Sequence, residues 1–139
     1  MALRRDAKVE LLKSAPLFAE CSKSELRALA SSADELDLRE GTVITREGRA
    51  GREFFVLIEG TARVTKNGKT VGELAAGDWF GEIALLTNSP RTATVTATSA
   101  VDVLVITDRS FRRTVETMPS IALKILSSVG DRLARDSKS

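Results

Sequence analysis

The chain has 139 residues, of which 42% are hydrophobic and 29% charged, a size and balance suited to one globular domain. It contains no histidine, no tyrosine and a single cysteine, Cys21. That excludes imidazole acid–base chemistry, Ser-His-Asp and Cys-His nucleophilic systems, imidazole zinc sites, thiolate clusters and intrachain disulfides. The catalytic toolkit shrinks to carboxylates, lysines and hydroxyls, which disfavours an enzyme; no catalytic residues, metal or cofactor are expected. The 21 Lys+Arg and 19 Asp+Glu are interspersed and leave a net charge of +2, which is no nucleic-acid footprint.

The N-terminal stretch MALRRDAKVELLKSAPLF has no continuous apolar core of the kind a signal peptide needs. No apolar run reaches the ~18 residues of a membrane span. With one unpaired cysteine, these features predict a cytoplasmic chain without a span of its own, compatible with a membrane-attached parent.

Residues 1–34 read as helical. Val9 and Leu12 recur at helical spacing before Pro16 interrupts the pattern. Ser22-Lys23-Ser24-Glu25 has the form of a capping box, followed by an apolar stripe of Leu26, Leu29, Ala30 and Ala33. Cys21, just before that box, is read as a small packed hydrophobe.

Residues 35–107 change character. Eight of the nine glycines fall between Gly41 and Gly81 and separate short runs rich in Val, Ile, Thr and Phe. The expected strands are Glu35–Glu40, Thr42–Arg46, Glu53–Ile58, Ala62–Lys66, Lys69–Leu74, Arg91–Ser99 and Val101–Ile106, a spacing that suggests an antiparallel sandwich or jelly roll. Asn67-Gly68 predicts a hairpin turn, because both residues tolerate positive φ. Asp78-Trp79-Phe80 reads as turn plus core.

Residues 108–139 return to helix. Phe111, Val115 and Met118 share a face, and Pro119 is placed to start a second helix. Ile121, Ala122, Ile125, Val129 and Leu133 continue an apolar stripe. Gly130 costs that helix roughly 1 kcal/mol and predicts a bend or a frayed end. The basic pairs Arg4-Arg5 and Arg112-Arg113 read as solvated faces.

One stretch, FGEIALLTNSPRTATV at residues 80–95, breaks the β rhythm. Gly81–Leu86 reads as a short helix between strands, whose first amides lack internal partners and carry partial positive charge. Gly81 permits close approach to the backbone. In the following strand Thr92, Thr94, Thr96 and Thr98 alternate with Ala93, Val95 and Ala97, and the same period puts Arg91 on the apolar face. A guanidinium turned toward a core needs an anionic partner. Two satisfy the chemistry equally: Glu82, in an internal ion pair, or a bound phosphate gripped by the planar fork of Arg91.

The segment closely resembles the phosphate-binding cassette of cyclic nucleotide-binding domains, the family found in the cAMP receptor protein, protein kinase A regulatory subunits and cyclic nucleotide-gated channels. The pattern F-G-E-(apolar)-A-L, a short turn, then P-R-(small/hydroxyl)-A-T-V is matched almost position by position. APLF with its following helix, REFFVLIEGTARV and GELAAGDWFGE extend the likeness over nearly the whole chain. The resemblance implies an α+β, mainly β fold: an eight-stranded antiparallel β-roll with N-terminal helices and two closing C-terminal helices. Residues 1–139 would form a single domain, divided into a helical bundle (1–34), the roll (35–107, cassette 80–95) and the closing helices (108–139).

It also implies roles. Glu82 would accept from the ribose 2′-hydroxyl, and Arg91 would pair with the exocyclic phosphate oxygens. The amides of Ile83, Ala84 and Ala93 would hold the phosphate beside Gly81, with the Thr92 hydroxyl on phosphate or base. For the base the resemblance offers Val64 and Val71 as apolar walls and Arg132 as a cap, since no aromatic follows Phe111. The ligand would be cAMP or cGMP, with cAMP favoured, bound noncatalytically to move the terminal helices; the effector domain or protein is not identified. A second reading is a degenerate β-roll that serves as a structural or interaction domain. A cupin-like enzyme needs histidines, and a DNA-binding regulator needs a helix-turn-helix after the last helix, so no nucleic-acid contact is expected.

Overall fold

The computed structural model describes residues 5–82, 84 and 88–138, without the side chains of 5, 6, 128 and 132–138. The chain begins with α1 (Arg5–Ser14), a 3-10 turn (Pro16–Phe18) and α2 (Lys23–Ser32). Val9, Leu12, Leu17, Phe18, Leu26, Leu29 and Ala30 are all buried, as their spacing requires. The capping box forms in full: the Glu25 amide donates to Ser22 Oγ (3.1 Å) and the Ser22 amide to Glu25 Oε1 (2.8 Å). Helix ends earlier than expected, however. Ala33 is buried but opens a strand, so the helical zone stops short of residue 34. Pairing with a central strand, from Ala33↔Ile106 to Leu38↔Val101, overrides the local helical pattern.

Eight strands follow: β1 (Ala33–Leu38), β2 (Val43–Thr45), β3 (Glu53–Glu59), β4 (Ala62–Lys66), β5 (Lys69–Leu74), β6 (Trp79–Phe80), β7 (Thr94–Ala97) and β8 (Val101–Thr107). They form two antiparallel four-stranded sheets, ordered β1-β8-β3-β6 and β2-β7-β4-β5. The Asn67-Gly68 turn joins β4 to β5 with both residues at positive φ, 53° and 78°. Besides β1, two strands depart most from the sequence reading. β6 is only two residues long, too short for a periodic signal. β7 covers Thr94–Ala97 instead of Arg91–Ser99, because the Arg91 backbone is bonded elsewhere, its N–H to Arg49 O (2.8 Å) and its C=O to Gly48 N–H (2.9 Å).

Helices α3 (Asp108–Thr117) and α4 (Pro119–Lys138) close the fold. Thr107 caps α3 by accepting from the Ser110 amide at 3.3 Å. Ile121 and Ile125 are buried, and α4 continues as helix past Gly130 to Lys138, so the helix does not fray at that glycine. Leu133 lies outside the described side chains, and so does Arg4. Among the described residues no helix is long and apolar enough to cross a membrane.

The core has two chambers separated by the sheet β1-β8-β3-β6. Side chains alternate along β3, so Phe54 and Val56 face the helices while Phe55 and Leu57 face the interior between the sheets. Phe54 meets Phe111 of α3 with ring centroids 4.8 Å apart. On the other side Phe55 stacks on Phe80 at 4.9 Å. Each such buried aromatic contributes on the order of 1.5–3 kcal/mol by burial alone, so β3 anchors both chambers.

Candidate functional site

The cassette lies at the open end of the chamber between the sheets. Gly81 adopts φ +97°, and a Cβ there would meet Arg91 Nη1 at 2.8 Å and the Glu53 carbonyl oxygen at 2.9 Å. Glycine is therefore demanded both by conformation and by what passes over it. Glu82 and Ala84 are helical; Ile83, Leu85, Leu86 and Thr87 lie outside the described residues, so the extent of the expected helix through Leu86 is not described. Asn88 turns the chain with φ 54°, and the Ser89 amide returns to Ala84 O at 3.2 Å.

Arg91 is 7% exposed. Its guanidinium donates from Nη1 to Gly81 O (3.1 Å) and from Nη2 to Glu53 O (2.8 Å), and it sits 5.7 Å from the centre of the Phe55 ring. The Arg91–Phe55–Phe80 stack thus joins the cationic group to the inner core. Burial pulls the Arg91 pKa below the ordinary guanidinium value, while Glu53 and then Glu82 act to raise it. The internal partner considered for Arg91, Glu82, therefore acts on it electrostatically, but its hydrogen bonds run to backbone carbonyls. A fork with five donors has N–H groups left beyond these two bonds.

A cavity of about 650 Å³ opens beside this arrangement, within the ~300–1,000 Å³ of small-molecule pockets. Gly81, Ala84, Arg91, Thr92 and Ala93 line one side, and Val64, Val71, Lys66, Lys69 and Glu73 from the β4–β5 hairpin line the other. Seven of the expected residues thus border one space. Val71 is 57% exposed, so it is a cavity wall and not core, whereas Val64 packs partly on the inner chamber. Glu82 is completely buried between Gly81 and Ala84. Ile83 and the Arg132 side chain lie outside the described residues.

Sequence reasoning missed the residues that seat the arginine. Gly51, the Glu53 carbonyl and Phe55 touch Arg91 from a loop and strand some forty positions away, and a single sequence carries no signal for that contact. The remaining candidates behave as packing. Cys21 is partly buried against the helical core and its thiol is pushed up to about 11, chiefly by burial and next by Glu25. Trp79 packs on the helical chamber, and Asp78 Oδ2 accepts from the Ala75 amide at 2.8 Å, which makes Asp78-Trp79-Phe80 turn plus core. On the opposite sheet the carboxylates of Glu35, Asp37 and Asp102 have oxygens within 4.8 Å of one another. The register sets Asp37, Asp102 and Glu59 side by side across β1, β8 and β3, with Glu35 two residues before Asp37 on β1. Burial and then Glu35 raise the Asp102 carboxyl to about 7.

Two antiparallel sheets with helices before and after them, and a buried arginine on a cavity wall, make an arrangement that can accommodate a small anion. The chain belongs to the cyclic nucleotide-binding domain family, whose model matches residues 35–118. It is 42% identical over 122 residues to a cAMP-dependent protein kinase regulatory subunit of Mycosarcoma maydis, an alignment covering 79% of this chain and 23% of that protein. Among solved structures it is similar to the regulatory domain of Toxoplasma gondii PKA with cAMP, at 28% identity and TM-score 0.75, covering 97% of this chain and 50% of that one. It is also similar to the regulatory subunit of a cAMP-independent protein kinase A from Trypanosoma brucei, at 26% identity and TM-score 0.84, covering 98% and 50%. The chain spans about a quarter of the curated relatives' length, 23% to 30%.

Proposed function

We propose that this domain binds a cyclic purine nucleotide, cAMP foremost, as a noncatalytic regulatory sensor in the cytoplasm. The observation that carries this reading is Arg91: a buried cation held by two carbonyls at a cavity wall, with donors remaining for an anion. In this reading Arg91 grips the exocyclic phosphate oxygens, aided by the amides of Ile83, Ala84 and Ala93 and by the Thr92 hydroxyl. Glu82 receives the ribose 2′-hydroxyl. Val64 and Val71 flank the base, and Arg132 caps it. The preference for cAMP is supported by the relatives, which include cAMP-dependent kinase regulatory subunits and a structure with cAMP. The same relatives suggest a protein kinase catalytic subunit as the effector partner.

Signalling then proceeds by population shift. A ligand that binds the arrangement with α4 closed over the cavity better than the open one stabilises closure by that difference in affinity. The path outward is short, because the Asp108 amide that opens α3 donates to Arg52 O (2.7 Å), one residue from the Glu53 carbonyl that holds Arg91. Calorimetric titration and thermal shift with cAMP, cGMP and 5′-AMP test the reading. Binding raises stability by RT ln(1 + [L]/Kd), about 2.7 kcal/mol at a hundredfold excess over Kd. Absence of any shift at millimolar cAMP and cGMP would favour a β-roll that works without cyclic nucleotide.

A further inference from the structure

We propose that Gly51 is a positioning residue of the anion site, acting through Arg91; the inference rests on the nucleotide-binding reading for its ligand but not for its geometry. Gly51 lies in the loop between β2 and β3, and a Cβ built on it would overlap the guanidinium, meeting Nε and Cζ far inside van der Waals contact and Nη2 at 2.6 Å. The backbone at this position does not ask for glycine. Unlike Gly41, Gly48, Gly60, Gly68, Gly77 and Gly81, Gly51 is not at positive φ, so alanine fits its conformation without strain. The three atoms nearest to a Cβ at this position all belong to Arg91.

The geometry explains why this matters. The guanidinium lies against Gly51 and 5.7 Å from the centre of the Phe55 ring, and its bonds to Gly81 O and Glu53 O hold its orientation. The Arg91 backbone is held by the same loop, through Arg49 O and the Gly48 amide. A methyl group at residue 51 therefore displaces the planar fork without touching the cavity, since Gly51 itself does not line it. A bidentate grip on phosphate depends on the orientation of that plane. The loop, not only the cassette, sets the affinity for the anion.

The test is a double-mutant cycle with Gly51→Ala, Arg91→Ala and both together, read by cAMP calorimetry and by thermal unfolding without ligand. Gly51→Ala is expected to weaken cAMP binding by roughly tenfold or more, the loss of one charge-assisted bond. The same change is expected to weaken it no further once Arg91 is absent. Any loss of Tm in Gly51→Ala should likewise vanish in the Arg91→Ala background, an outcome that a purely structural glycine would not give. Folding of the double variant where Gly51→Ala alone does not fold supports the inference directly. Wild-type cAMP affinity in Gly51→Ala, additive losses, or failure to fold in both backgrounds overturns it. If the unmodified chain binds no cyclic nucleotide, the nucleotide reading fails, and the unfolding cycle alone decides whether Gly51 seats Arg91.

Discussion

Replacing Arg91 with alanine separates binding from folding. In the ligand-free domain its guanidinium makes two hydrogen bonds, to Gly81 O and Glu53 O, worth about 1.5–3 kcal/mol each because the donor is charged. Their loss is partly offset by relief from burying a cation, so the variant should fold, with Tm lowered by no more than about 8 °C. Binding should change far more. Two charge-assisted bonds to phosphate contribute about 3–6 kcal/mol, and the lower figure already corresponds to a weakening of roughly 100-fold. At fixed nucleotide concentration such a change removes about 2.7 kcal/mol of ligand-induced stabilisation. Isothermal titration with cAMP, alongside scanning calorimetry with and without ligand, reads both quantities. A folded Arg91→Ala domain with Kd within about threefold of the unmodified chain would refute the role assigned here.

On the proposed role of Glu82, Glu82→Gln should weaken cAMP binding by about tenfold while leaving 2′-deoxy-cAMP unaffected; equal losses for both nucleotides would remove Glu82 from sugar recognition. The carboxyl of Asp102 is held at about 7 against 3.8 when unperturbed, by burial first and then by Glu35, Asp37 and Glu59. The folded domain therefore keeps a proton that the unfolded chain has released, so stability is greatest below about pH 4 on this account and declines as pH rises to about 7. Asp102→Asn should flatten that slope and raise Tm at pH 8 by a few degrees, the size of a roughly 1 kcal/mol change; chemical denaturation from pH 5 to 8 checks it. Cys21, with its thiol pushed up to about 11, should react with iodoacetamide at pH 7.5 many times more slowly than free cysteine.

Much of the scaffold was legible because local signals and tertiary demands agreed. The Ser22–Glu25 box, the Asn67-Gly68 turn and Pro119 each act through neighbouring residues, and each appears where the sequence places it. Failures came where distant pairing decides. Ala33 leaves its helical stripe to pair with Ile106, and Arg91 leaves its strand to bond with Gly48 and Arg49. The burial of Arg91 was anticipated from a strand period that does not in fact reach it. The site was legible through the cassette, whose Arg91, Gly81, Ala84, Thr92 and Ala93 gather at one cavity. Gly51 and Phe55 were not, because contact across forty residues leaves no periodic trace.

The placement of β3 has a consequence for how such a domain diversifies. Phe54 belongs to the helical chamber and Phe55 to the chamber between the sheets, yet they are consecutive residues of one strand bonded to β8 on one flank and β6 on the other. The sheet is in effect a bulkhead. Substitutions at Phe111, Ile121 or Ile125 retune the closing helices without entering the compartment of Phe80 and Arg91, and the reverse holds for the cavity. The two compartments can thereby change separately, and the loop before β3, bonded both to Arg91 and to the first residue of α3, is a place where they meet.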